Sequence, residues 1–268
     1  MTLSSPTHRP RKALGQHFLH DPGVIARILA AIAPQPDDRM VEIGPGLGAL
    51  TRPLLAHVRH LHLVEIDRDL AARWRAEAAA GLPISVHEAD ALAFDFAALG
   101  PGLRVVGNLP YNISTPLLFH LAAAAGHLRD LHLMLQKEVV ERMAATPGTP
   151  AYGRLSVMLQ ARFRVVKLFN VPPGCFNPPP KVDSAVVRLI PLAEAERPCR
   201  NPERFATLVA LAFGQRRKTL RNTLKGMVDA ATFAALGIDP GRRGETLSVA
   251  EFAALADYPV SATFQSPD

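Results

Sequence analysis

The sequence predicts an α/β protein: a mainly parallel sheet with helices between its strands, followed by a small helical domain. Three observations carry that reading. Apolar runs recur between residues 40 and 135 at spacings that leave room for a helix between successive runs, which implies crossover connections. A glycine-rich turn follows the first run. Beyond about residue 191 the strand pattern stops and helix-period segments take over.

The elements follow in order. Pro22-Gly23, with Val24, Ile25, Ile28 and Leu29 behind it, reads as a helix of period 3.6. Met40–Ile43 is the first strand, Leu61–Glu65 the second, Ile84–His87 the third, Leu103–Gly107 the fourth and Leu131–Leu135 the fifth. Phe163–Asn170 and Ala185–Ile190 read as two late strands around a long proline-rich loop. Pro191–Pro202, rich in proline and charge, reads as a linker. From Phe205 to Lys225 the pattern predicts one helix, with shorter helices at Ala230–Ala235 and Val249–Ala254 and a disordered tail from Gln265. No internal repeat is present.

Composition narrows the class. A chain of 268 residues, 48% hydrophobic, can bury a full core. No apolar run approaches the ~20 residues of a membrane helix. Met1–Lys12 is basic and contains Pro and Ser, with no apolar core behind it, so it reads as an arm and not a secretory signal. Cys175 and Cys199 read as two unpaired thiols of a reducing cytoplasm. The net charge of +6 favours a polyanionic partner, because Lys and Arg on phosphates release counterions.

The candidate site is assembled from strand ends. Asn108-Leu109-Pro110-Tyr111 follows the fourth strand, where open α/β sheets bind ligands. The Asn oxygen and the carbonyl of Leu109 or Pro110 can each accept one N–H of an exocyclic amine, and Tyr111 can stack on the ring that bears it. Adenine fits that description. After the first strand, Gly44-Pro45-Gly46-Leu47-Gly48 lets the backbone turn sharply, and the helix N-terminus behind it favours an anionic group. With Ala49 in last place, this turn also fits a dinucleotide fingerprint, so a nicotinamide dehydrogenase stays open at this step. Glu65 ends the second strand and suits ribose hydroxyls. Asp67 reads as a helix cap, and Asp90, after the third strand, either caps a turn or accepts an adenine amine.

Four successive strand ends thus carry Gly, Glu, Asp and Asn in order, which resembles the cofactor site of S-adenosylmethionine-dependent methyltransferases. The likeness extends along the chain. Lys12–Leu19, Glu42–Gly46, Gly107–Ser114, Leu135–Val139, Phe176–Ser184 and Phe213–Lys218 together resemble the ribosomal RNA adenine dimethyltransferases, and within them the bacterial small-subunit group. That resemblance implies a Rossmann-like methyltransferase sheet with a small C-terminal helical domain. Residues 1–20 would be a basic arm and cofactor-covering segment, 21–192 the catalytic domain and 193–268 a helical RNA-binding domain. S-adenosylmethionine would lie against His17, Leu19, Gly44, Gly46, Glu65, Asp90 and Asn108. Many members carry Asn where this chain has His17, which leaves open a backbone or a side-chain contact there.

The implied reaction moves the sulfonium methyl to N6 of adenine. Asn108 and the carbonyl of Leu109 or Pro110 would hold the N–H bonds and free the N6 lone pair, with Tyr111 on one face of the base and Phe176 on the other. Positioning and electrostatics would supply most of the rate, and neither a general base nor a metal is called for. Arg216, Arg217, Lys218, Arg221 and Lys225 are expected to contact RNA phosphates. Of these, Arg217, Arg221 and Lys225 would share a helix face. Arg9, Arg11, Lys12, Lys137 and Arg142 would add to that surface. The expected partner is small-subunit ribosomal RNA in an immature 30S particle, met in the cytoplasm by a monomer with no membrane association. The competing expectations are a large-subunit resistance methyltransferase and a non-catalytic assembly factor.

Overall fold

The computed structural model describes residues 10–11 and 14–259. Arg9, Lys12 and the tail from Gln265 therefore lie outside the described residues. The chain divides into two compact units, Met1–Val140 with Lys167–Leu189, and Glu141–Val166 with Ile190–Asp268.

The chain opens with β1 (Phe18–Leu19), α1 (Pro22–Ile32), β2 (Met40–Ile43), α2 (Thr51–Leu55) and β3 (Leu61–Glu65). It continues through α3 (Arg68–Ala79), β4 (Ile84–Glu88), β5 (Leu103–Asn108), α4 (Ser114–Ala123) and β6 (Leu128–Gln136). Next come α5 (Lys137–Met143), α6 (Arg154–Gln160), β7 (Phe163–Val171), β8 (Phe176–Asn177) and β9 (Ser184–Pro191). Four helices follow: α7 (Pro202–Gly214), α8 (Leu220–Thr223), α9 (Ala230–Ala235) and α10 (Val249–Asp257).

The main sheet has the order β4-β3-β2-β5-β6-β9-β7. β2 pairs in parallel with β3 on one side and β5 on the other, while β9 runs antiparallel to β6. The chain leaves β2 in one direction and returns to the other side at β5. The crevice beyond the carboxyl ends of β2 and β5 is therefore a topological switch point. Met40, Val41, Ile43, Leu103, Val105 and Val106 are all buried, as expected of strands covered on both faces. Between them two strands approach so closely at Gly107 that a Cβ there would lie 2.7 Å from the Ile43 carbonyl oxygen. Asp21 caps α1 by accepting from Val24 N at 2.8 Å, with Pro22 at the first helical position.

Two short strands were not predicted. β1 pairs antiparallel with β8, Phe18 opposite Asn177 and Leu19 opposite Phe176, so the segment expected to cover the cofactor is tied to the proline-rich loop. Two-residue strands carry too little alternation to be read from sequence.

The second unit has its own apolar core, in which Tyr152 and Val157 pack with Phe205, Leu208 and Phe252. That shared core explains why Glu141–Val166 joins the C-terminal residues, where the sequence placed one boundary near residue 192. The expected helix from Phe205 to Lys225 is broken. α7 ends at Gly214, residues 215–219 turn, and α8 restarts at Leu220. Tertiary bonds replace the helical ladder there: Leu220 N donates to Arg242 O at 2.8 Å and Arg221 N to Pro240 O at 2.9 Å. Leu220 and Leu224 are buried as a result, and Arg217, Arg221 and Lys225 do not lie on one helix. Among the described residues no helix is long and apolar enough to cross a membrane.

Candidate active site

A cavity of about 260 Å³ opens at the switch point. Its lining includes His17, Leu19, Gly44, Gly46, Glu65, Asp90, Asn108, Leu109, Pro110 and Tyr111, so the structure brings together every expected cofactor residue and four of the five expected catalytic ones.

The glycine turn is built for close approach. Gly44, Gly46 and Gly48 adopt φ of +67°, +54° and +92°, a region that side chains with a Cβ rarely enter. A Cβ on Gly46 would touch the Phe18 ring at 3.0 Å, and one on Gly48 would collide with Trp74 at 2.7 Å. Trp74 Nε1 donates to the Gly46 carbonyl at 3.1 Å and holds the turn from behind. The helix that follows, α2, has only five residues, so the expected anion site at its N-terminus has little dipole behind it.

Carboxylates dominate the electrostatics instead. Glu65 is 4% exposed. Its Oε1 accepts from Asp67 N at 2.9 Å and its Oε2 from Gly46 N at 3.3 Å. Burial raises its pKa against those two bonds. Glu42, a residue the sequence reading did not single out for the site, also lines the cavity and is 2% exposed. Burial pushes its pKa up to about 8, with Thr51 Oγ1 donating to it at 2.6 Å and Glu65 adding to the rise. Its position inside the apolar run Met40–Ile43 was the available signal, because a carboxylate there must be buried. Asp90 is exposed and accepts from Leu92 N at 2.9 Å through Oδ1, so it caps the turn with one carboxylate oxygen. Asp67 caps α3 by accepting from Asp69 N.

No Lys or Arg is among the described residues that line the cavity. An acidic pocket in a basic chain suits a cationic ligand and disfavours a pyrophosphate. Glu65 suits a ribose diol and Asp90 an adenine amine, while Glu42, held protonated toward about pH 8, adds a polar wall and no charge. The residues present therefore fit S-adenosylmethionine and not a nicotinamide dinucleotide.

At the end of β5 the hydrogen bonds distinguish the acceptors. Asn108 Nδ2 donates to the His17 carbonyl at 2.8 Å. Since a carbonyl only accepts, this fixes the amide orientation and leaves Oδ1 as the acceptor. The Pro110 carbonyl already accepts from Ser114 Oγ at 3.0 Å and from Ile113 N at 3.3 Å. Leu109 N is held by Met134 O at 3.0 Å, while its own carbonyl takes no hydrogen bond from another described residue. Tyr111 is anchored through its hydroxyl to Ser184 Oγ at 2.7 Å, and its ring stacks with His17.

Phe176 is not in the wall. It is 2% exposed and belongs to the apolar cluster with Leu19, Val171 and Cys175. Pairing with Leu19 in the β1–β8 ladder turns its side chain into the core. The ring that faces Tyr111 is the imidazole of His17, not Phe176.

The basic residues divide. Arg11 is paired with Asp69 at 2.5 Å and with Asp67 at 3.5 Å. In the second unit Arg216 contacts Glu245 and the Pro150 carbonyl, both at 3.3 Å. Arg217, Lys218, Arg221 and Lys225 are exposed, with no side-chain ion pair to another described residue.

The family model described as ribosomal RNA adenine dimethylase matches residues 7–259. A protein of Aromatoleum aromaticum named ribosomal RNA small subunit methyltransferase A is 60% identical over 251 residues, 94% of each chain. One of the same name from Thiobacillus denitrificans is 59% identical, over 94% of this chain and 98% of that one. Among solved structures, a dimethyladenosine transferase from Plasmodium falciparum superposes with a TM-score of 0.78 at 29% identity, over 89% of this chain and 96% of that one. The 23S rRNA methyltransferase ErmE gives 0.69 at 28% identity, over 90% and 98%.

Proposed function

The chain belongs to the ribosomal RNA adenine dimethylase family, and from that membership we propose that it methylates N6 of two adjacent adenines in the 3′-terminal hairpin of small-subunit ribosomal RNA. The methyl donor is S-adenosylmethionine and the product N6,N6-dimethyladenosine. The observation that carries this reading is one cavity holding both a cofactor's acceptors, Glu65 and Asp90, and an amine's acceptors, Asn108 Oδ1 and the Leu109 carbonyl.

When bound, the cofactor supplies an electrophilic methyl on a sulfonium. The protein supplies position. Asn108 Oδ1 and Leu109 O accept the two N–H bonds of the target amine in the first transfer, and one of them accepts the remaining N–H in the second, which favours a pyramidal nitrogen with an available lone pair. Each transfer ends with one N–H proton lost to solvent. The partner of Leu109 O in this scheme is the amine, because the Pro110 carbonyl is occupied by Ser114 and Ile113. Tyr111 stacks on the base, which must leave its helix to reach the cavity. His17 meets the site through its carbonyl, with Leu19 and Phe18 closing the cofactor end. Arg217, Lys218, Arg221 and Lys225, together with Arg216, hold RNA phosphates without reading sequence. The substrate is an immature 30S particle, acted on in the cytoplasm by a monomer.

The second reading, methylation of large-subunit RNA, is favoured by the similarity to a 23S rRNA methyltransferase. The relatives at 59–60% identity that carry a small-subunit name support the first. Mass analysis of nucleosides from small subunits incubated with protein and cofactor tests the proposal: dimethyladenosine is expected, and its absence with cofactor bound refutes it.

A further inference from the structure

The His17 side chain is not needed for the contact that its own backbone makes. Its carbonyl accepts from Asn108 Nδ2, and any residue at this position offers the same carbonyl. The imidazole does something else. Its Nδ1 lies 2.8 Å from the Pro178 carbonyl oxygen, and because a carbonyl only accepts, Nδ1 carries the hydrogen. So held, the ring lies against Tyr111, with centroids 5.6 Å apart and planes 26° apart. Offset stacking at that separation is an attractive aromatic geometry. Tyr111 is held a second time at its far end, where its hydroxyl bonds Ser184 Oγ at 2.7 Å.

We propose that the His17 side chain is a positioning residue for the Tyr111 ring. The ring of Tyr111 is fixed at the hydroxyl by Ser184 and on a face by His17, while His17 is itself fixed by the loop that pairs with β1. One side chain thereby links three parts of the base site: the covering segment, the loop at Asn177–Pro178 and the aromatic platform. Preorganising the platform removes an ordering cost from base capture. The inference deepens the adenine-methylation reading and rests on it for its kinetic arm.

The chain has three tyrosines, Tyr111, Tyr152 and Tyr258, so fluorotyrosine labelling gives a spectrum that the Tyr111→Phe variant assigns. His17→Asn keeps a donor for Pro178 and removes the ring, whereas His17→Phe keeps the ring and removes the donor. His17→Asn is expected to shift and broaden the Tyr111 fluorine signal alone, and His17→Phe to move it less. Single-turnover methylation should fall about 2- to 12-fold in His17→Asn, the range an aromatic pair supports. Cofactor affinity should hold, and the drop should vanish in a Tyr111→Leu background. An unmoved Tyr111 signal overturns the proposal, as does an equal drop in both backgrounds. If the wild-type protein transfers no methyl, the function reading fails, and the fluorine spectrum still decides the contact.

Discussion

Asn108 donates from Nδ2 to the His17 carbonyl across 2.8 Å, so one hydrogen bond both ties the segment beside Phe18 to the end of β5 and leaves Oδ1 as the acceptor of a cavity-lining side chain. Removing the carboxamide should therefore have two unequal effects. Loss of a well-placed acceptor costs ~1–3 kcal/mol, and 1.36 kcal/mol is tenfold in rate. Asn108→Ala is expected to cut turnover by more than about tenfold. Cofactor affinity should fall less, through the loosened segment alone. Turnover and calorimetric cofactor binding check this, and near-normal turnover would remove Asn108 from the chemistry.

Phe176 and Tyr111 should separate in the opposite sense to that expected of two matching platforms. Phe176 is buried in the core cluster, and truncating such a ring costs ~3–5 kcal/mol. Phe176→Ala should lower the melting temperature by many degrees, while the conservative Phe176→Leu keeps most methyl transfer. Tyr111→Leu should keep the melting temperature within a few degrees and slow transfer markedly while leaving a measurable single-turnover rate. Thermal unfolding alongside single-turnover rates distinguishes the two.

Glu42 sets a pH dependence. Its pKa in the folded protein is raised to about 8 from an ordinary 4.5. Because the folded form holds the proton more tightly, the contribution to stability is full below about pH 4.5 and is lost as pH rises toward about 8. Glu42→Gln keeps an acceptor for Thr51 and removes the titration. The melting temperature of the wild type relative to this variant should fall between pH 5 and pH 8. Parallel curves would count against a protonated Glu42.

RNA contact in the second unit predicts a salt signature. Each phosphate neutralised contributes ~0.7–0.9 to the slope of log affinity against log salt. Replacing both Arg217 and Lys218 by Ser should reduce that slope for small-subunit binding by ~1.5. Binding of cofactor, measured separately, should not change. An unaltered slope would place the phosphate contacts elsewhere.

Much of the sheet was legible because its strands are buried on both faces and stand out as apolar runs. The second strand, Leu61–Glu65, has the bounds expected. Strand ends also carried the site: Gly44, Glu65, Asp90 and Asn108 each follow a run whose end could be read. What failed depends on tertiary partners. The turn after Gly214 exists because Leu220 and Arg221 find carbonyls at Arg242 and Pro240, far along the chain. Phe176 faces the core because of a two-residue ladder with Leu19, which leaves no periodic trace. Glu42 looked like part of a strand and proved to be a buried acid at the cavity.

The most direct test of the central claim is transfer of labelled methyl from S-adenosylmethionine into two substrates, unmethylated small ribosomal subunits and large-subunit RNA, by the wild type and Asn108→Ala. The account predicts dimethyladenosine in the small subunit alone, and a loss of more than about tenfold in the variant. Label in large-subunit RNA, or transfer that survives without Asn108, would contradict it.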